Sequence, residues 1–259
     1  MPSELTTEHR NGTLVLSITD PATRNTLSEQ VVSAGIEALN VAESDDAVRA
    51  VVLRGDGAHF CAGGNLQGLQ ERRAAGPHAQ RQMLERLHQW VEALRAFPKP
   101  VLAAVEGAAA GAGFSLALAC DLIVAAEGAR FTLSYARLGL TPDGGASWHL
   151  GRALPRQRLQ QLMWLAEPVT ARQLHADGLV GWVVEDGRAL PEALLLAERL
   201  AGMAPNALAS GKALVDTAAT QSLSQQLGSE RDHFIDNLFH PNAAEGLQAF
   251  LDKRAPRFS

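Results

Sequence analysis

Cysteine is nearly absent from this chain: Cys61 and Cys120 are the two in 259 residues. Both lie inside apolar runs and neither has metal-ligand spacing, so a disulfide framework and a cysteine-held metal are excluded. They read as small core residues of a protein kept in a reducing compartment. No apolar run approaches the roughly 20 residues that span a bilayer, and no charged-then-apolar leader opens the chain. The expectation is a soluble, cytoplasmic protein with no membrane partner. Blocks of Lys and Arg are missing too. With 23 basic and 28 acidic side chains the net charge is −5, and the sequence pI is near 5.9. That balance argues against nucleic acid as a partner. Repeats and low-complexity segments are also lacking, and the length suits one large domain, alone or with a small appendage.

What is present centres on Val101–Asp121, VLAAVEGAAAGAGFSLALACD. Val101–Val105 reads as a buried strand and Phe114–Ala119 as a buried helix, with the small-residue turn 110–113 between them. N–H groups of a first helical turn lack intrahelical acceptors, and the helix dipole adds positive charge there. Small side chains would let a ligand oxygen approach those donors. The same residues also suit nothing more than a tight strand–helix contact. A second stretch favours the ligand: Phe60-Cys61-Ala62-Gly63-Gly64-Asn65-Leu66 again places glycines just past an apolar strand, Val51–Leu53.

Elsewhere, Asn11-Gly12 between Leu5–Arg10 and Thr13–Thr19 signals a hairpin. Ser28 starts a helix through Val41, and Val48–Leu53 is a β-branched strand. Gln67–Gln82 is polar and shows no apolar period. Met83–Phe97 follows with helical spacing and stops at Pro98. Short strands are expected at Asp121–Ala125 and Ala129–Leu133, helices to Ala153 and over Pro155–Leu165, and a Thr170-capped helix at Ala171–Asp177. Gly178–Val184 is the last strand. Helices then occupy roughly 191–202, 206–219, 222–239 and 242–252, which divides the chain into a core, 1–190, and a helical region, 191–259.

Together these blocks resemble the crotonase (enoyl-CoA hydratase/isomerase) superfamily over nearly the whole chain. The resemblance rests on VRAVVLRGDGAHFCAGGNL (48–66), KPVLAAVEGAAAGAGFSLALACDLIVAAEGARF (99–131), LGLTPDGGASWHLGRAL (138–154) and EGLQAFLDKRAPRF (245–258), in that order and spacing. It implies an α/β fold, a spiral of ββα turns with C-terminal helices that drive assembly into a homotrimer or a dimer of trimers. It implies an acyl-CoA thioester substrate, with no cofactor beyond the coenzyme A that the substrate carries. The N–H groups of Gly64 and Ala112 would form an oxyanion hole, each donor contributing about 3–4 kcal/mol. Segments 67–97 and 131–137 would shape the acyl pocket.

Hydratases of this superfamily use two glutamates, and the matching positions here are Ser115 and Tyr135. Neither is a carboxylate base. Asp143, in Thr141-Pro142-Asp143-Gly144-Gly145, could be a turn residue or helix cap on spacing alone. The resemblance instead makes it the working acid/base, as in isomerases and dehalogenases. AAGAGFSLALACD and LGLTPDGG are most similar to isomerases of the phenylacetate pathway, which convert a ring epoxide of phenylacetyl-CoA to the oxepin and shift enoyl-CoA double bonds. Apolar Leu66, Phe114 and Trp148 are expected near Asp143, raising its pKa. The resemblance places Arg24 and the backbone at Ala62 against pantetheine and adenine. It gives Phe239 and Lys253 the role of contacts supplied by a neighbouring subunit, although Lys253 also fits a solvated helix end. His59, in a polar turn, and His149, a turn past Asp143, are weaker candidates, and Glu92 stands where dehalogenases carry a histidine. The expected activity is enoyl-CoA isomerisation. The alternatives are a hydratase using Asp143 alone, or a silent acyl-CoA- or RNA-binding paralogue.

Overall fold

The structure is a computed structural model that describes residues 3–259. It opens on a hairpin of β1 (Glu4–Arg10) and β2 (Thr13–Thr19). Asn11 and Gly12, at φ 47° and 79°, supply the left-handed pair that a type I′ turn needs. Helix α1 (Glu29–Glu43) starts where the Ser28 side chain accepts the Val31 N–H. Then come β3 (Ala50–Gly55), α2 (Leu66–Ala75), α3 (Pro77–Ala96), β4 (Val101–Val105), β5 (Ala108–Ala110), α4 (Ala112–Ala119), β6 (Leu122–Ala126) and β7 (Arg130–Thr132). The second half carries α5 (Ala146–Ala153), α6 (Arg156–Leu165), β8 (Val169–Thr170), α7 (Ala171–Ala176), β9 (Trp182–Val184), α8 (Ala189–Ala201), α9 (Pro205–Ala218), α10 (Leu223–Leu238) and α11 (Pro241–Leu251). Thr170 caps α7 in a reciprocal capping box with Gln173.

Six strands form one sheet in the order β1-β2-β3-β4-β6-β9, parallel except for the opening hairpin. Three short strands form a second, β5-β7-β8. Alternation along each strand sorts the core. Leu14, Leu16, Ile18, Val51 and Leu53 enter the large cluster shared with α1, α3 and α4. Val15, Val52, Leu102 and Val124 face the other way, against Ala193, Leu196 and Ala197 of α8. Helix α8 begins at Ala189 and so lies on the sheet, while α9 and α10 contain no buried residue.

Isolated bridges join Leu27 to Gly64 and Cys61 to Ala109, and β5 pairs with β7. Strands β2, β3, β4 and β6 of the large sheet are each followed by a short extended piece that pairs with the piece of a neighbouring turn, and then by a helix. That repeat is a ββα spiral.

Two local expectations need correction. The polar stretch 67–82 is helical: it holds most of α2 and the start of α3. Asn65 caps α2 by accepting the Gly68 N–H, and Gly76, at φ 104°, followed by Pro77 makes the break. No α2 residue is buried, so no apolar period was required. The strand leading into the small-residue turn is β5, a separate three-alanine piece in the second sheet, and not β4. No helix among the described residues is long and apolar enough to cross a membrane.

A close helix contact sets Trp90 of α3, fully buried, against Gly35 of α1. A Cβ at Gly35 would stand 2.3 Å from the indole. Gly35→Ala is therefore expected to destabilise the protein by about 1–3 kcal/mol, read as a lower urea midpoint; an unmoved midpoint would show that the indole can give way.

Candidate active site

The two glycine turns meet backbone to backbone. Cys61 donates its N–H to Ala108 at 3.0 Å, and its carbonyl accepts from Ala110 at 2.9 Å. This pairing brings Gly63, at φ 88°, so near the neighbouring turn that a Cβ there would lie 2.6 Å from the Ala110 carbonyl oxygen and 3.2 Å from the Ala112 nitrogen. At Gly113 a Cβ would come within 2.3 Å of the Cys61 oxygen. Only glycine fits at either place. Among the described residues nothing accepts the N–H of Gly64 or of Ala112. Ala112 opens α4, and every residue of α4 is buried, so its unpaired first-turn donors act where water screens them little. Burial also drives the Cys61 thiol up to about 12, which leaves it inert.

Asn25 holds the outer wall. Its side chain donates to the carbonyls of Asp56 at 2.8 Å and His59 at 2.7 Å, and accepts the Asp20 N–H at 2.8 Å. The sequence reading passed it over, although an Asn in a loop after Asp-Pro is a common signal for such a clamp. Beside it, exposed Arg24 accepts the Ala62 N–H on its carbonyl at 2.9 Å, leaving only the Ala62 carbonyl for a ligand. His59 is structural, because its Nδ1 accepts the Ala108 N–H at 3.2 Å.

Asp143 stands on the loop before α5. Ser115, buried in α4, donates its hydroxyl to the Asp143 carbonyl oxygen at 3.0 Å and bonds Gly111 at 3.4 Å. Tyr135, 9% exposed, donates to Asp143 Oδ1 at 2.6 Å. Residues 115, 135 and 143 therefore form one bonded group. Burial raises the Asp143 carboxyl above its ordinary value, while the Tyr135 hydrogen bond and the nearby His88 pull it partway back. Burial, with the Asp143 charge, pushes the Tyr135 phenol well up. It stays protonated and donates.

The expected apolar surround is different. Phe114 is 1% exposed, and its ring packs in the core with its centroid 5.0 Å from that of Phe131. Helix α4 is apolar on all sides, and sequence period could not tell which side chains point inward. Leu66 is 57% exposed and Trp148 44% exposed. The Arg152 guanidinium lies 3.7 Å from the Trp148 ring centroid and that of Arg95 lies 5.5 Å away. His149 meets the same indole edge-on, and burial with these two arginines lowers its pKa to about 4. A cleft of about 630 Å³ runs from Gly144 and Gly145 past His88, Val91, Glu92 and Trp148. Phe239 and Lys253 lie exposed at the ends of α10 and α11; Phe239 is 83% exposed, and the Lys253 side chain pairs with no carboxylate among the described residues.

Residues 8–259 match the family described as enoyl-CoA hydratase/isomerase. The chain belongs to that family. A 1,2-epoxyphenylacetyl-CoA isomerase of Escherichia coli K12 is 36% identical, covering 96% of this chain and 95% of the relative. A 2,3-dehydroadipyl-CoA hydratase of the same organism is 34% identical, at 99% and 98% coverage. The crystal structure of an enoyl-CoA hydratase from Polaromonas sp. JS666 superposes with a TM-score of 0.98 at 52% identity, covering 99% and 100% of the two chains. The protein is thus an enzyme of the enoyl-CoA hydratase/isomerase family, with the crotonase fold.

Because proline is tolerated at the first position of a helix, Ala112→Pro deletes one N–H donor and keeps α4. It is expected to cut turnover of a CoA thioester by about 10²–10³-fold; steady-state kinetics showing undiminished kcat would mean that this amide holds nothing.

Proposed function

We propose that the protein is an enoyl-CoA isomerase in which Asp143 carries a proton between C2 and C4 of a 3-enoyl thioester. One observation supports this most: of the three positions that divide the chemistries, 115, 135 and 143, only Asp143 is a carboxylate, with Tyr135 donating to its Oδ1 and Ser115 to its backbone carbonyl. The thioester oxygen lies between the Gly64 and Ala112 N–H groups. Asp143 removes a proton from C2, and the C–H electron pair passes into a dienolate whose oxygen those donors hold. The protonated carboxyl then returns the proton to C4 as the double bond moves into conjugation. Nothing is oxidised and no group leaves. The raised Asp143 pKa suits both halves, since the group must accept a proton and give it back near neutrality.

The same reading makes coenzyme A part of the substrate, with Arg24 and the Ala62 carbonyl along its path. Copies associate as a homotrimer or a dimer of trimers through α10 and α11, where Phe234, Phe239, Phe250 and Leu251 are exposed. Phe239 and Lys253 then reach a neighbour's CoA, and the setting is the cytoplasm. The likeness to the E. coli isomerase supports a ring-epoxide phenylacetyl-CoA as a further substrate. Similarity to proteins named hydratases favours one second reading, water addition with Asp143 as sole acid/base.

Ultraviolet absorbance of the conjugated thioester separates the two. A 3-enoyl-CoA is expected to give a rising signal and the matching 2-enoyl-CoA little loss; rapid loss from the latter means hydratase. Asp143→Asn is expected to abolish the rise while acyl-CoA binding persists. Because the Asp143 pKa is raised, its basic form fills at higher pH than an ordinary carboxylate. kcat/KM is therefore expected to fall as pH drops through that raised value; a profile flat down to the ordinary carboxylate range would exclude Asp143 as the base.

A further inference from the structure

Two of the three attachment points of Asp143 are taken by the protein. Its carbonyl is held by Ser115 and its Oδ1 by Tyr135, while Oδ2 has no hydrogen-bond partner among the described residues. Tyr135 is itself fixed: it lies in the 3-10 turn Ser134–Leu138, its carbonyl accepts the Leu140 N–H at 3.0 Å, and its side chain is buried. The hydroxyl reaches the other half of the site as well. Gly111 stands at φ 52°, and a Cβ there would lie 3.6 Å from the Tyr135 oxygen, so the phenol seats against the turn that presents the Ala112 N–H.

We propose that Tyr135 is a positioning residue that binds Oδ1 of Asp143 and leaves Oδ2 as the single oxygen that takes the proton from C2 and delivers it to C4. The inference rests on the isomerase reading above. Because one oxygen serves both carbons, the proton leaves and returns on one face of the acyl chain, the face turned to Asp143. The step is balanced: Oδ2 gains the C2 proton as the C–H pair enters the dienolate, and loses it to C4 as the former C3=C4 π pair forms the new C–H bond and a C2=C3 double bond is left. The Tyr135 proton stays on its own oxygen throughout, and its hydrogen bond favours the carboxylate over the acid. Carboxyl rotation is blocked in both states, which keeps the reacting oxygen within reach at each half-step. The charged and titratable groups that act on Asp143 are Tyr135 from its turn and His88 from α3, and both favour the ionised form.

Tyr135→Phe removes the hydroxyl from a ring-sized space. It is expected to lower kcat by about 100-fold with little change in KM, and to move the acidic limb of the kcat/KM profile to higher pH. Tyr135→3-fluorotyrosine, a stronger donor of nearly the same shape, is expected to move that limb to lower pH, and it decides the matter if the phenylalanine variant does not fold. A limb that stays put in both variants overturns the inference. Asp143→Asn, assayed alongside, separates the two levels: retained turnover removes the isomerase reading and this inference with it. An inactive Asp143→Asn with an unmoved limb in the Tyr135 variants removes this inference alone.

Discussion

Everything at the site depends on two backbone turns approaching closer than any side chain allows. The Cys61–Ala108 and Ala110–Cys61 hydrogen bonds pull the turns together, and Gly63 and Gly113 are the residues that leave room for the approach. Once the turns meet, the N–H groups of Gly64 and Ala112 are left without protein acceptors beside a buried helix N-terminus. Unpaired donors in such a place are unfavourable for folding alone and favourable for a site that must receive an oxygen anion. The large sheet, the α8 layer on its back and the Asn25 clamp hold that approach rigid.

Electrostatics then acts on a prepared scaffold. Burial raises the Asp143 carboxyl, and the Tyr135 hydrogen bond with the nearby His88 draws it partway back. The two histidines nearest the site by sequence are each held by their surroundings. His59 is tied to Ala108, and His149 is kept neutral by its burial and by Arg95 and Arg152. A single carboxylate held by one phenol, with its own backbone carbonyl fixed by Ser115, is a simpler device than a pair of carboxylates. It suits returning a proton to the molecule it came from.

Much of this was legible in the residues. Asn11-Gly12, Ser28 and Thr170 announced a hairpin and two helix starts because each has a local mechanism that needs no tertiary context. Both glycine turns could be located because they lie just past strands, and Asp143 was singled out by a block whose order and spacing match a family. What was hidden has equally physical causes. β5 is three alanines, with no side chain to give a period. α2 is exposed on all sides and therefore carries no apolar stripe. Phe114 lies in a helix buried all round, where sequence says nothing about facing. The Tyr135–Asp143 bond joins residues on a turn and a loop, and only the fold states which way their side chains point.

The bridges that link Leu27 to Gly64, Cys61 to Ala109 and β5 to β7 also follow the order of the chain. Each turn of the spiral offers an edge on which the next can close, so the turns stack in space in the order in which they occur along the chain. Gly64 then comes well before the β5–α4 turn that completes it, and Asp143 later still. A chain that stopped before the fourth strand of the large sheet would hold Gly64 but neither the turn that carries Ala112 nor the loop that carries Asp143.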